Sequence, residues 1–329
     1  MNHATHTIMV ERPPLGWFDK AAVLIACALG VVTFSTIGWS TMAPADPLGA
    51  VSASALSGGL MMIVRACLLA GVIGGSAALI AGRKLLDVGI LATAVGLAWV
   101  SLRGATTGSL LIQYHDSAES AEQGLAVRFL LESAGWFAVM AAAMLSSAVV
   151  MRLLGQPTGY ASRSYADGSL SPLQMGGYDM PRLSTRWFGI TADQQTDVID
   201  GLMYSIIAAG SGVTLIAALS TGLASRAIAH GQVCFVIAVG VCIATTIAFR
   251  IIPVRSALWP MLSVLLTAMA GYAWSALRPS IPGLPPNIPS SDFLRALPIQ
   301  FMAVGVASAL LTFWSMHTPP PREPAVALP

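Results

Sequence analysis

Eight apolar runs, each about 20 residues long, constrain this chain more than any other feature. They lie near 21–42, 58–81, 86–102, 127–151, 202–224, 229–249, 257–277 and 296–316. About 20 apolar residues in a helix cross the ~30 Å hydrocarbon core of a bilayer. The runs lack the polar-apolar alternation of barrel strands, so helices are expected. Composition agrees. Of 329 residues, 55% are hydrophobic and 10% charged, whereas soluble domains carry about 25% charged residues. A core absorbs only part of so much apolar surface, and the excess must face lipid. The expected fold is therefore all-α, a polytopic integral membrane bundle of about eight transmembrane helices, with the lipid bilayer as its first partner.

Charge narrows the field further. A formal net charge of +2, without a long basic run, gives no footing for nucleic acid. The cysteines Cys27, Cys67, Cys234 and Cys242 all lie inside apolar runs without Cys-x-x-Cys spacing. They read as packing residues rather than disulfides or zinc ligands. The chain holds no P-loop, dinucleotide fingerprint, His-Glu-x-x-His or Gly-x-Ser-x-Gly, so no cofactor is expected.

Lys and Arg near the helix ends set orientation. With the N-terminus inside, Arg12, Lys20, Arg83, Lys84, Arg152, Arg163, Arg182, Arg186, Arg250, Arg255 and Arg322 collect on the cytoplasmic side. Arg103, Arg128, Arg226, Arg278 and Arg295 collect outside. Both termini are expected in the cytoplasm. The first run is longer than the apolar stretch of a cleavable leader and reads as a membrane helix.

One phrase is written twice. "GLAWVSLRG" stands at 96–104 and "GYAWSALRP" at 271–279, each closing the third helix of a four-helix set. A second pair, "CLLAGVIGGSAALIAGR" (67–83) and "CFVIAVGVCIATTIAFR" (234–250), aligns without a gap. These matches predict a tandem duplication of four helices plus four. Four is even, so the halves enter the membrane alike and are related by a pseudo-twofold axis along its normal. The expected layout is a tail at 1–18, a first repeat at 19–153, a cytoplasmic linker at 154–199, a second repeat at 200–316 and a tail at 317–329. In the phrase, Trp99 and Trp274 are expected in an aromatic belt, with Arg103 and Arg278 anchoring helix ends in the outer headgroup layer.

Close packing in lipid needs small residues. The second helix carries Ala66, Ala70, Gly74, Ala78 and Gly82, the fourth Ala134, Ala138, Ala142 and Ser146, and the fifth Ala208, Gly212 and Ile216, with Ser205, Ala209 and Val213 one step around. These stripes are expected to be buried. "STRWFGITADQQTDVID" (184–200) is expected to form a short interfacial helix before the fifth span, and the proline-rich "RPSIPGLPPNIPSSDF" (278–293) an extended outer cap.

Intramembrane charge is sparse. Arg65 in the second span and Glu132 in the fourth both fall in the outer half. Charges at such depth usually face the interior and pair, so an Arg65–Glu132 ion pair is expected. Arg128, one turn above Glu132, competes for it, and the alternative for Arg65 is to reach out to the outer interface. Gln232 aligns with Arg65, and Gln300 lies near the place matching Glu132, which makes them neighbours of any such site. In "QYHDSAESAEQ" (113–123), His115, Glu119 and Glu122 share one helical face beside Asp116. They are weak candidates for a divalent metal, and a solvated acidic helix is the plainer reading. His230 reads as an interface residue.

Two functions stand nearly level. One is a small-solute transporter or ligand-binding protein with a polar site in the outer half of the first repeat. The other is a non-catalytic scaffold or accessory subunit, with membrane protein partners or a second copy of the chain. Catalysis on lipid has the least support, because few groups at the interface offer acid–base chemistry.

Overall fold

Backbone groups in hydrocarbon must be satisfied within their own segment, and these alanine- and leucine-rich runs do so as helices. The computed structural model describes residues 16–44, 49–55, 58–82, 87–115, 121–154, 192–220, 230–254, 256–278 and 289–317, and among them there is no strand. The helices in order are α1 (Trp17–Met42), α2 (Gly59–Ala81), α3 (Val88–Ser101), α4 (Thr107–His115), α5 (Ala121–Leu153), α6 (Ala192–Ser220), α7 (His230–Ile251), α8 (Leu258–Leu277) and α9 (Pro298–His317). All but α3 and α4 are long and apolar enough to cross a membrane. The protein is an all-helical membrane bundle. The expected tails and most of the linker and proline-rich cap lie outside the described residues.

The third run differs from expectation. Instead of a full span over 86–102, α3 has 14 residues, about 21 Å at 1.5 Å per residue. Every residue in it except Val95, Ala98 and Trp99 is buried. It packs against α1, α2, α5 and α9. A helix walled by protein has little lipid thickness to match, so it can be short. The helix expected before the fifth span is also not separate: α6 runs unbroken from Ala192 to Ser220.

The most extensive contact is α2 with α5. In the first half α1 also packs on α2 and α3, and α3 on α2 and α5. In the second half α6 packs on α7 and α8, and α9 on α7 and α8. The helix pairs that join the halves most extensively are α3 with α9, α5 with α8, and α5 with α9.

Backbone meets backbone at several glycines, two of them at the tightest helix crossings. A Cβ on Gly30 of α1 would overlap the Ala92 carbonyl of α3, and one on Gly74 of α2 would overlap the Ala143 carbonyl of α5. Serines close the second crossing: Ser147 Oγ donates to the Gly74 carbonyl (2.9 Å), and Ser146 Oγ to that of Gly71 (2.5 Å). In the α2 stripe Ala66, Ala70, Gly74 and Ala78 are buried and Gly82 half-buried; on α6 Ala208, Gly212 and Ile216 are buried, as are Ser205 and Ala209 beside them, with Val213 half-buried. The stripe on α5 is not. Ala134 and Ala138 are exposed, whereas Ser133, Trp136, Met140, Ala143 and Ser147 are buried. The Gly74 crossing and the bonds of Glu132 rotate α5 onto this neighbouring face.

A widened π turn at Phe34–Gly38 interrupts α1. Such turns displace backbone carbonyls from the regular ladder. The Ser35 carbonyl accepts from Arg103 Nη1 at 3.0 Å.

Candidate functional site

Glu132 is one helical turn before Trp136 on α5, so the indole N–H reaches back to Oε1 at 2.9 Å. The other donors come from the loop between α1 and α2, which makes a tight turn at Ala53–Ala55. The Ala53 N–H donates to Oε1 at 2.9 Å. On Oε2 converge Ser52 Oγ at 2.6 Å, the Ser54 N–H at 3.0 Å and Ser54 Oγ at 2.5 Å. Five donors thus surround a side chain that is only 6% exposed. A carboxylate offers about four lone-pair positions, and this arrangement fills them. Two successive backbone N–H groups cradle the anion as a nest does. Bonds to an ionised acceptor are roughly twice as strong as neutral ones.

The expected ion pair is absent. Arg65 is exposed on the outward face of α2. Gly59, at the start of α2, lies against Ala53, and Ala53 is bonded to Glu132. The helix start is therefore level with the carboxylate, and Arg65 lies six residues further on, about 9 Å along the axis. It differs from Glu132 in both depth and face. Arg128 is exposed on α5. Neither serine was singled out by charge-based reading, because loop hydroxyls and backbone N–H groups carry no charge to notice.

The amides take different places. Gln300, which is buried, accepts from the Leu297 N–H at 3.1 Å, and its Nε2 lies 2.6 Å from His230 Nδ1. With the amide oxygen taken by Leu297, the amide nitrogen donates and Nδ1 accepts. His230 is therefore a helix-to-helix partner joining α7 to α9. Gln232 is exposed and, with Ser220, Val236, Asp292, Arg295 and Phe301, lines a narrow cleft. The cleft has room for little more than a water molecule.

The segment ahead of α9 is bound from both halves. Glu122 of α5 accepts from the N–H and hydroxyl of Ser290. Ser291 bonds Ser275 of α8 (2.5 Å), Thr107 of α4 donates to the Arg295 carbonyl (3.2 Å), and Tyr272 of α8 donates to the Ala296 carbonyl (2.8 Å). Within the segment, Arg295 pairs with Asp292 at 3.4 Å. This use of Glu122 bears on the suggested metal group. Glu119 and the side chain of His115 lie outside the described residues, and among those described no three His, Cys, Asp or Glu side chains gather.

The repeated phrase is used in two ways. Trp99 and Trp274 are both half exposed, at 51% and 52%. Arg103 lies over Trp39 of α1, 4.7 Å from the ring centroid, whereas Arg278 lies over Trp274 of its own phrase at 4.8 Å.

No family model matches the chain, and no curated protein or solved structure is similar to it. The chemistry of the site is therefore read from its geometry. Glu132 has both oxygens occupied by the protein's own donors. It joins a loop to a helix and leaves no lone pair for a solute.

Proposed function

We propose that this chain is a non-catalytic scaffold or accessory subunit of a membrane protein complex. The observation that carries the reading is the saturated Glu132. The one acidic group at depth on α5, the first place to look for solute or proton coupling, is spent on internal fastening. The Gly30–Ala92 and Gly74–Ala143 crossings fix the helices of the first half against one another, as a rigid scaffold needs. The partner in this reading is a second membrane protein chain.

The subunit is built as two tandem four-helix repeats related by a pseudo-twofold axis. Exchanging α1, α2, α3 and α5 for α6, α7, α8 and α9 converts α1–α3 into α6–α8 and α2–α5 into α7–α9, and both contacts occur in each half. It also converts α3–α9 into α8–α5, both observed. Residue contacts follow. Four positions before the phrase's glycine, Ala92 meets Gly30 and Thr267 meets Gly212. In the second alignment Gly75 pairs with Cys242; Gly75 lies against Ser146, and Cys242 Sγ accepts from Thr312 at 3.2 Å. The cation distribution supports termini on the cytoplasmic side.

The test is purification of the tagged full chain after crosslinking in native membranes. The expected result is a stoichiometric second membrane protein on a native gel. A chain that runs alone or as a homodimer, and is stabilised by a small solute, overturns the proposal.

A further inference from the structure

The outward face of α2 carries Met61, Arg65, Leu68, Val72 and Leu79 at spacings of four, three, four and seven, so they form one stripe. All are exposed, and all but Arg65 are apolar. Such a stripe suits lipid chains along its whole length, and a bare guanidinium in it is costly unless an anion meets it. Glu132, the acid expected to serve, is bound by five donors on another face.

Geometry limits what the anion is. Arg65 lies about 9 Å along α2 from Gly59. Long side chains on a helix lean toward its N-terminus. The guanidinium therefore reaches back toward the helix start, where a bilayer places its phosphates, while the methylene stem stays against apolar surface. Below it, Leu68 and Val72 offer a track for acyl chains. We propose that Arg65 binds the phosphate of a single phospholipid whose chains lie along Leu68, Val72 and Leu79. A carboxylate on a partner helix would have to be set at that one depth, whereas phosphates are already there. Gln232, the aligned residue of α7, is uncharged, so the site exists once per chain.

The experiment uses the full-length protein equilibrated with phosphatidylglycerol in mild detergent and released into a native mass spectrometer, where retained lipids are counted. Wild type is expected to keep one tight adduct. In Arg65→Leu its occupancy falls about fivefold, as for the loss of one cation at a lipid surface, and Arg65→Lys keeps most of it. Leucine suits an exposed apolar stripe, so an unchanged unfolding midpoint verifies that the variant is folded. Equal adducts in wild type and Arg65→Leu overturn the proposal. Loss of a copurifying protein with the lipid adduct intact overturns it in favour of a partner helix carrying a carboxylate.

Discussion

In the first half a loop is tied to the helix behind it by a carboxylate: Glu132 of α5 gathers Ser52, Ala53 and Ser54 and adds Trp136 from its own helix. In the second half an amide on α9 joins an imidazole on α7 and the N–H of Leu297. Both devices bind helix ends that the bilayer cannot bind, since lipid gives helices no reason to associate. They differ in what failure leaves behind. Removing the carboxylate strands donors from two separate segments. Removing the amide strands one N–H and one ring nitrogen.

That difference orders the expected effects. Glu132→Ala should be the most damaging substitution at these sites. Each orphaned buried donor costs about 1–3 kcal/mol, so a loss of at least about 3 kcal/mol is expected, read as a lower unfolding midpoint in detergent. If Gln300→Ala costs as much, the two fastenings are equivalent and the comparison fails. The glycines come next. Gly30→Ala drives a methyl into a backbone carbonyl and should cost about 2–3 kcal/mol, near the upper end for overpacking. Gly212→Ala meets the Thr267 side chain at 3.0 Å, a contact looser than the carbonyl overlap at Gly30, and should cost about 1 kcal/mol. The same melts measure both, and equal losses would show that the halves are packed alike. Gln300→Ala follows at about 1–2 kcal/mol, and with His230→Ala its effect should be less than additive in a double-mutant cycle, because the two share one bond. The smallest contrast lies in the repeated phrase. Arg278→Ala removes a cation–ring contact of about 0.5–1 kcal/mol at an exposed site. Arg103→Ala also removes the bond to the Ser35 carbonyl and should lower the midpoint somewhat more.

The spans were legible because a long apolar run has few alternatives in lipid. So was the burial of Ala66, Ala70, Gly74 and Ala78, where four-residue spacing marks a face. On α5 the same rule chose Ala134 and Ala138, which are exposed. Ser146 and Ser147, bonded to carbonyls of α2, and Glu132, bonded to the loop before α2, decide the face instead. The Arg65–Glu132 pair failed for a related reason. Opposite charges are conspicuous in a sequence, whereas the donors that hold Glu132 are two serines and two backbone N–H groups in a short loop. "SAS" at 52–54 was the available signal, and only its position beside α5 gives it meaning. The segment before α9 shows the same limit, because its partners lie far away along the chain, at Thr107, Glu122, Tyr272 and Ser275.

The shortness of α3 bears on how the protein is made. Fourteen residues are a poor stop for a bilayer-inserting machine tuned to about 20, and one wall of this helix is α9, the last described helix to be synthesised. Trp314, near the end of α9, donates to Asp87 at the foot of α3 at 3.2 Å. During translation α3 must therefore wait beside α1 and α2 while some two hundred further residues emerge. Its final seat is completed only when α9 arrives, so the interior closes at that step rather than on insertion of the first four runs.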